Sequence, residues 1–158
     1  TPHIAKHIEG IPLDEKFTIA NLTTIDKKHF EPVIHGMFDV YNKGTAKMLQ
    51  VKGIEICGKT GTAENFAIID GTKTQLTDHS IFVAFAPKDN PKIAIAVFIE
   101  NGYFGSRFAG KMASLMIEKY LKNEISRTDL ENFVLYHTLE HEYKKPYSGE
   151  PFKINRER

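Results

Sequence analysis

Two apolar runs separated by a short turn constrain the fold of this chain more than any other feature. Residues 81–86 (IFVAFA) and 93–99 (IAIAVFI) flank the turn sequence PKDNPK, and this pattern predicts a β-hairpin with a loop longer than two residues. Neither run alternates apolar with polar residues, so we expect both faces of the sheet to be covered. Full burial of a Val, Ile or Phe side chain contributes roughly 1.5–3 kcal/mol, which makes this hairpin the expected centre of stability.

Helices are predicted on both sides of the hairpin in the sequence. The first is predicted over residues 31–43, with Gly44 as its stop signal. The second is predicted from Ser106, as its N-cap, to about residue 122. The expected core-facing side of this second helix comprises Ala109, Met112, Ala113, Met116, Ile117, Tyr120 and Leu121. Glu118 is expected elsewhere on the helix surface.

Composition excludes several classes of function. A length of 158 residues suits one domain with a single core, and the net charge of +1 gives no electrostatic basis for binding nucleic acid. Cys57, the single cysteine, cannot form an internal disulfide. No apolar run approaches the ~20 residues that span a bilayer. Because the chain starts at Thr1 rather than Met, we expect a fragment of a longer protein whose membrane anchor or export signal lies upstream.

The sequence divides into two parts. Residues 1–125 carry the main predicted elements, whereas residues 126–158 are polar and charged and predict a tail that is partly helical or disordered. A short helix is predicted over residues 129–143 of that tail. In the first part, residues 53–66 predict a strand interrupted by glycines, and residues 70–78 predict a polar loop. We therefore expect an α+β fold in which helices pack on an antiparallel β-sheet.

The motif that indicates a chemical function is Lys59-Thr60-Gly61-Thr62, on the predicted strand. A lysine ammonium attracts a substrate carboxylate by about 4 kcal/mol when the charges are roughly 4 Å apart at an effective dielectric near 20. A neighbouring hydroxyl can donate a hydrogen bond to the same carboxylate, and glycine lets a substrate lie against the strand. The next backbone N–H can serve an oxyanion hole. Strand alternation predicts Thr60 and Thr62 on one face and Lys59 on the other.

In its sequence context, this motif resembles that of class B penicillin-binding proteins, and most closely that of the penicillin-binding protein 2 group. The resemblance covers roughly residues 1–122. The segments that show the resemblance occur in the same order as in the family: TPHIAKHIEG, GMFDVYNKGTA, GKTGTAEN, DHSIFVAFAP, PKIAIAVFIENG and IEKYL. It implies that residues 1–125 are the C-terminal portion of a transpeptidase domain with the fold of penicillin-binding proteins and β-lactamases.

The resemblance also implies an activity. In this family a serine attacks the D-Ala-D-Ala end of a peptidoglycan stem peptide, and the acyl group then passes to an amine on another strand. The resemblance implies that Lys59 organises the cleft, that Thr60 and Thr62 bind the terminal carboxylate or that of a β-lactam, and that the Thr62 N–H is one oxyanion donor. Lys59 and Thr62 are thus the expected catalytic residues, and Gly61 joins Lys59, Thr60 and Thr62 as a substrate-binding residue. No metal or cofactor is expected.

Partners and location follow from the same resemblance. It implies that the protein binds stem peptides and β-lactams, and that it works with proteins of elongation-type cell-wall synthesis in determining cell shape. It also implies a parent protein anchored in the cytoplasmic membrane, with this domain on the outer, periplasmic side.

The chain departs from the family pattern at the nucleophile. The pattern requires S-x-x-K for the serine and its base, and S-x-N opposite the Lys-Thr-Gly strand. None of the serines has lysine three residues later or asparagine two residues later; they are Ser80, Ser106, Ser114, Ser126 and Ser148. We therefore expect this polypeptide to be inactive by itself, although the resemblance implies that its parent is an enzyme.

Alternative interpretations remain open at this point. A β-lactamase or β-lactam sensor carries a similar Lys-Thr-Gly motif, although GTAEN and the charged tail fit that interpretation less well. A zinc protein is the alternative from another class, because His137, Glu140 and His141 spell H-x-x-E-H and the two histidines would share a face of a helix. Cys57 is interpreted as a small core residue rather than a reactive thiol.

Truncation would have a structural consequence. Without the N-terminal strands of the family fold, the strand at residues 93–99 would be an apolar sheet edge, and such edges pair with other chains. We therefore expect a non-native dimer or marginal stability.

Overall fold

The computed structural model describes residues 8–19 and 22–143, in two compact units that divide between residues 31 and 32. The described part of the first unit contains an isolated bridge between Ile8 and Ile11 and two short 3-10 helices, at Glu15–Phe17 and Lys27–His29. The first α-helix, α1, comprises Phe30–Asn42 and agrees with the helix predicted over residues 31–43.

The second unit is built on two antiparallel sheets. Its strands are β1 (Cys57–Ala63), β2 (Phe66–Ile69), β3 (Thr72–Gln75), β4 (His79–Ala86) and β5 (Ile93–Ile99). The larger sheet has the order β1-β4-β5, and the smaller sheet pairs β2 with β3. Both apolar runs therefore form the predicted hairpin, and the strand predicted over residues 53–66 contains β1. The predicted α+β class with an antiparallel sheet is confirmed.

The β2–β3 hairpin corrects the expected polar loop at residues 70–78. Asp70 and Gly71 connect the two strands with φ angles of 50° and 77°. Two consecutive positive φ values are typical of the type I′ turn of tight hairpins, in which Asp-Gly is a preferred pair. The Asp-Gly pair next to the FAII run was therefore a local hairpin signal, outweighed in our prediction by the polarity of the segment.

The second long helix, α2, comprises Ala109–Lys122 and starts later than predicted. The predicted N-cap Ser106 is wrong, because the N-cap is Phe108, whose side chain makes no capping bond. Its first backbone N–H is instead satisfied from the sheet. The Ser80 hydroxyl of β4 accepts a hydrogen bond from the Ala109 N–H at 3.2 Å. The buried Ser80 of β4 therefore caps the helix in place of the predicted N-cap Ser106.

The core lies between α2 and one face of the larger sheet, but the predicted helix face is only partly correct. Ala113 and Ile117 are fully buried as expected, whereas Met116 and Tyr120 are exposed. Glu118, which we expected elsewhere on the helix surface, is fully buried. The periodicity of apolar residues thus predicted the helix correctly. It wrongly assigned Met116 and Tyr120 to the buried side and Glu118 to the exposed side.

Glu118 belongs to a group of paired polar residues that we call the buried cluster, after its fully buried members Ser114 and Glu118; it also contains the half-buried Arg127 and the exposed Ser126. Arg127 Nε donates to Glu118 Oε2 at 2.9 Å, and the Ser126 hydroxyl donates to Glu118 Oε1 at 2.6 Å. Burial by itself raises the pKa of Glu118, but hydrogen bonds from Ser126 and Arg127 and the charge of Arg127 outweigh burial and lower it.

The buried cluster also joins three segments of the chain. Arg127 Nη1 donates to the Ser114 hydroxyl at 2.7 Å and to the Leu49 carbonyl at 3.1 Å, while Arg127 Nη2 donates to the Ser114 carbonyl at 3.0 Å. The Ser114 hydroxyl itself donates to the Leu49 carbonyl at 2.6 Å. The residues that follow α2 are therefore bound to α2 and to the loop before β1.

The opposite face of the larger sheet is incompletely covered, so the prediction that both faces are covered is wrong for the described residues. Val83 is 40% and Phe98 54% exposed. The reason is that α2 packs on the Phe82 face of the sheet, whereas α1 reaches the opposite face near Cys57 and around Met37 and leaves Val83 and Phe98 exposed. Among the described strands β5 has β4 as its single neighbour. Self-association through this edge stays a prediction.

The C-terminal segment contains α3 (Thr128–Tyr136) and α4 (Glu140–Tyr143) rather than one helix over residues 129–143. The Phe133 ring of α3 stacks on Phe108, with ring centroids 5.7 Å apart. Residues 144–158, which include the end of the predicted tail, lie outside the described residues. A domain division after residue 125 stays a prediction. No helix within residues 8–19 and 22–143 has the length and apolar character needed to cross a bilayer.

Candidate functional site

The Lys-Thr-Gly-Thr motif lies on β1, at the edge of the larger sheet. Thr60 pairs with Phe82 and Thr62 pairs with Ser80 in the β1–β4 register. Both partners belong to the face that packs against α2, so Thr60 and Thr62 share that face and Lys59 lies on the other. This arrangement agrees with the prediction from strand alternation.

The Lys59 side chain returns to the edge of its own strand. Its ammonium donates a hydrogen bond to the Thr60 carbonyl at 2.7 Å, which indicates that this carbonyl points away from β4. In an antiparallel pair, a residue directs its N–H and C=O to the same side, and the side alternates along the strand. The N–H and C=O of Thr62 therefore point to the same open edge as those of Thr60.

A close contact with Gly105 supports this orientation. A Cβ atom at Gly105 would lie 2.7 Å from the Gly61 oxygen and 2.8 Å from the Gly61 nitrogen, and it would also collide with the Ile81 carbonyl oxygen. These groups are therefore close together, as expected where Gly61 and Ile81 form a hydrogen-bonded pair of the ladder. Only glycine fits at position 105. The loop between β5 and α2 thus lies over the β1–β4 ladder, and among the described strands β1 has β4 as its single neighbour.

Several hydroxyl groups lie close together at the outer edge of β1. The Thr45 and Thr60 hydroxyl oxygens are 3.2 Å apart, and the exposed Thr62 hydroxyl makes no hydrogen bond within the described part of the chain. We call these side chains the edge cluster: Thr45, Lys59, Thr60 and Thr62. Among residues 8–19 and 22–143, no carboxylate pairs with Lys59. The edge cluster therefore combines an uncompensated positive charge with hydroxyl donors, a combination that favours an anionic ligand.

The far end of β1 is fixed by amide groups. The Asn65 side-chain nitrogen donates to the Thr77 carbonyl at 3.2 Å and to the Asn101 side chain at 3.0 Å. Asp78 Oδ1 accepts hydrogen bonds from the Asn65 N–H at 3.4 Å and from Gln75 Nε2 at 3.0 Å. These bonds hold together the segments at the ends of β1, β3 and β5, and thereby fix the chain three residues after Thr62.

Comparison with known proteins identifies the family. Residues 1–121 match the penicillin binding protein transpeptidase domain. The chain belongs to this family. The family that the sequence resemblance implied is thus confirmed. The relatives described below confirm the penicillin-binding protein 2 type.

Several curated relatives of this penicillin-binding protein chain are named peptidoglycan D,D-transpeptidases. Peptidoglycan D,D-transpeptidase MrdA of Haemophilus influenzae is 31% identical over 98% of this chain and 25% of that protein. MrdA of Acinetobacter baumannii is 38% identical over 54% of this chain and 14% of that protein. Peptidoglycan D,D-transpeptidase PbpA of Mycobacterium tuberculosis is 32% identical over 67% of this chain and 23% of that protein. The chain therefore spans a quarter or less of the length of these relatives.

Solved structures of the family share the fold. PBP2 of Pseudomonas aeruginosa in complex with WCK 5153 is 28% identical and matches 80% of this chain and 27% of that chain, with a TM-score of 0.57. Penicillin-binding protein 2B of Streptococcus pneumoniae is 29% identical and matches 64% of this chain and 17% of that chain, with a TM-score of 0.52. The penicillin-binding transpeptidase fold predicted from the sequence is confirmed.

The family motifs with the nucleophilic serine are missing from these 158 residues. Three of the serines are instead bound to fixed acceptors in the fold. Ser80 donates to the Phe104 carbonyl at 3.0 Å, and Ser114 and Ser126 belong to the buried cluster. Each of these three hydroxyls donates its proton to an acceptor within the fold.

Cys57, at the start of β1, is a core residue as interpreted. Its thiol is fully buried and lies 3.6 Å from the Ile34 carbonyl oxygen. Burial raises the pKa of the Cys57 thiol to about 11, so the thiol is protonated at neutral pH and is a poor nucleophile.

The alternative zinc motif does not form the arrangement that it requires. The helix α3 ends at Tyr136 and α4 begins at Glu140, so His137 is in neither helix and cannot share a helical face with His141. The His137 ring stacks on Phe133, with centroids 4.8 Å apart. Residues 8–19 and 22–143 contain no group of three or more potential metal ligands.

Sequence reasoning missed one member of the edge cluster. Thr45 lies 15 residues before Thr60 and carries no motif of its own. The segment GMFDVYNKGTA, which contains Thr45, contributed to the family resemblance. The resemblance therefore marked the segment, but the contact between the two hydroxyls required the fold.

Proposed function

We propose that this chain contributes one wall of the active site of a peptidoglycan D,D-transpeptidase, and that the nucleophilic serine lies in another part of the same protein. The observation that carries the proposal is the edge cluster, in which a cation and hydroxyl donors accompany the open N–H and C=O groups of β1. Membership of the penicillin-binding family supports it, as do relatives named peptidoglycan D,D-transpeptidases.

In the proposed site three members of the edge cluster, Lys59, Thr60 and Thr62, bind the C-terminal carboxylate of a stem peptide, or the carboxylate of a β-lactam. The Lys59 ammonium attracts this carboxylate, and the hydroxyls of Thr60 and Thr62 donate hydrogen bonds to it. Gly61 has no side chain, so the peptide can approach β1 as an additional strand and use its open N–H and C=O groups. The ligand is thereby held with its reacting carbonyl beside Thr62.

The proposed reaction is acyl transfer. The serine oxygen attacks the carbonyl carbon of the bond between the two D-Ala residues, and the carbonyl oxygen becomes an oxyanion. The Thr62 N–H is one donor to this oxyanion; one such donor contributes on the order of 10²–10³ in rate. The carbon–nitrogen bond breaks, and the terminal D-Ala leaves with the serine's proton on its nitrogen. An amine of another stem peptide then attacks the serine ester, the bond between the acyl carbon and the serine oxygen breaks, and the amine's proton returns to the serine.

We further propose the cellular location and the partners that the family resemblance implies. The parent protein is anchored in the cytoplasmic membrane, with this domain on the outer, periplasmic side. It acts with proteins of elongation-type cell-wall synthesis and takes no cofactor.

Acylation by a fluorescent penicillin tests the proposal in the full-length protein that contains this chain. We expect Lys59→Ala to lower the second-order acylation rate constant at least about tenfold, because the Lys59–carboxylate attraction is lost although solvent screens part of it. Lys92→Ala, which removes an exposed lysine from the β4–β5 turn, is the matched control and should leave the rate unchanged. Normal acylation of the Lys59→Ala variant would remove Lys59 from the site.

The polypeptide of 158 residues provides a second test by itself. Incubation with the same penicillin should produce no covalent adduct in mass spectrometry, because the chain has no S-x-x-K serine. A specific adduct on any side chain would overturn the proposal that the nucleophile lies elsewhere.

A further inference from the structure

The contact between Thr45 and Thr60 has no role in the site as proposed so far. Their hydroxyl oxygens are 3.2 Å apart, and either one can be the donor. Thr60 belongs to the motif strand, whereas Thr45 lies in the loop between α1 and β1. Two hydroxyl groups at this distance share one hydrogen, so the direction of that bond determines which hydroxyl keeps a free proton.

Thr45 is held in position by its neighbours in the sequence. The Gly44 N–H donates to the Asp39 carbonyl at 2.9 Å, and the Ala46 N–H donates to the Val40 carbonyl at 3.0 Å. Ala46 is fully buried. The backbone on both sides of Thr45 is therefore tied to the end of α1, and the Thr45 hydroxyl reaches β1 without depending on a flexible loop.

The same loop is attached to the core at its other end. Leu49 is fully buried, and its carbonyl accepts hydrogen bonds from Ser114 at 2.6 Å and from Arg127 at 3.1 Å. Gln50 Nε2 donates to the Tyr41 carbonyl at 2.9 Å. A hydroxyl carried by such a loop can orient another hydroxyl, because the loop is attached to the core on both sides of Thr45.

The chemistry of the site selects one direction for the hydrogen bond. A hydroxyl that binds a carboxylate must donate its single proton to it, and its oxygen then has lone pairs for another donor. We propose that Thr45 is a positioning residue that donates to the Thr60 oxygen and thereby directs the Thr60 proton toward the ligand carboxylate. Thr45 does not touch the ligand in this arrangement. The inference rests on the proposed function and names a further residue of the same site.

The arrangement has a consequence specific to the ligand carboxylate. A hydroxyl that accepts a hydrogen bond becomes a better donor, because each bond in a chain polarises the next. Loss of the Thr45 hydroxyl should therefore weaken binding of an anionic carboxylate at Thr60. It should have little effect on a ligand in which that carboxylate is esterified. A purely structural role of Thr45 would affect both ligands alike.

The test uses the full-length protein and two probes, benzylpenicillin and its methyl ester. We expect Thr45→Val, which keeps the shape but removes the hydroxyl, to lower the acylation rate constant for benzylpenicillin about 3- to 10-fold. The rate constant for the ester should change less than about twofold. Thr45→Ser should restore the rate with benzylpenicillin. Thr72→Val, the same change at an exposed threonine of β3, is the matched control and should alter neither rate.

A double-mutant cycle with Thr60→Val completes the test. If Thr45 acts through Thr60, the double variant should acylate no more slowly than Thr60→Val alone. Equal losses with both probes, additive losses in the cycle, or an unchanged rate in Thr45→Val would each overturn the inference. If Thr60→Val lowers the benzylpenicillin rate and Thr45→Val does not, only the role of Thr45 fails. If Thr60→Val also has no effect, the proposed carboxylate site itself fails.

Discussion

The edge cluster and the buried cluster use similar side chains in opposite ways. In the buried cluster, both oxygens of Glu118 accept hydrogen bonds, and the Arg127 guanidinium is bound on three nitrogens. In the edge cluster, Lys59 has a carbonyl group as its partner, and the Thr62 hydroxyl has no partner within the described chain. One cluster satisfies its charges internally, whereas the other leaves charge and hydrogen-bonding capacity for a ligand.

The comparison shows how burial changes the role of a cation. Arg127 is 21% exposed and pairs with a fully buried carboxylate, so removing Arg127 leaves a buried negative charge without its cation. Lys59 is exposed, so its unpaired charge is stabilised by solvent until a ligand arrives. We therefore expect substitutions in the buried cluster to change stability and those in the edge cluster to change activity.

The largest effect should come from Arg127→Met. The substitution leaves Glu118 buried without its cation, and breaking a buried pair in this way costs about 3 kcal/mol or more. Urea denaturation of the chain, followed by circular dichroism, measures the change in the free energy of unfolding. Lys43→Met is the matched control, because it breaks an ion pair with Asp39 whose side chains are 71% and 49% exposed. The control should cost less than about 1 kcal/mol, and equal losses in the two variants would remove the distinction between the clusters.

An intermediate, pH-dependent effect should come from Glu118→Gln. The pKa of Glu118 is lower in the folded state than its ordinary value of 4.5. Its contribution to stability is therefore fully present above pH 4.5 and is lost as the pH falls through the folded-state pKa. At neutral pH the variant should be less stable than the wild type by about 1–3 kcal/mol, since it loses hydrogen bonds of a charged group.

Unfolding measured between about pH 6 and about pH 3 tests the sign of this dependence. The difference in unfolding free energy between wild type and Glu118→Gln should shrink as the solution becomes acidic, because the wild-type carboxylate becomes protonated. A difference that stays constant or grows toward acid would mean that the ionised form of Glu118 does not stabilise the fold.

The smallest effect on stability should come from the edge cluster. Lys59→Met and Thr62→Val should each change the free energy of unfolding by less than about 0.5 kcal/mol, because both side chains are exposed and lack buried partners. The measurement is the same urea titration. A loss of unfolding free energy comparable to that of Arg127→Met would mean that the edge cluster has a structural role, and the two clusters would then not differ in function.

Local patterns were sufficient for much of this fold. The runs at residues 81–86 and 93–99 predicted β4 and β5 because apolar strand sequences with a turn between them have few alternatives. The segment around Asp70-Gly71 shows the limit of composition, since a polar stretch was taken for a loop although its turn residues indicated a hairpin. Turn chemistry was the more reliable local signal there.

The candidate site was predicted in part. The motif residues Lys59, Thr60 and Thr62 have the expected alternation on β1, and their catalytic and binding roles stay predictions. Thr45 was not predicted as a site residue, because its contact with Thr60 depends on how the loop after α1 returns to the sheet. Contacts between segments far apart in sequence leave no periodic signal in either segment.

By itself, the sequence determined the family, the antiparallel hairpin and the strand that carries the lysine and the hydroxyls. These features depend on short-range patterns, namely apolar runs, turn residues and a motif of a few neighbouring positions. The tertiary structure alone decided that Glu118 is buried, that Ser80 caps α2 and that Thr45 meets Thr60. Each of these depends on a partner from another segment, and hydropathy cannot show whether a polar side chain faces water or a distant group that compensates it.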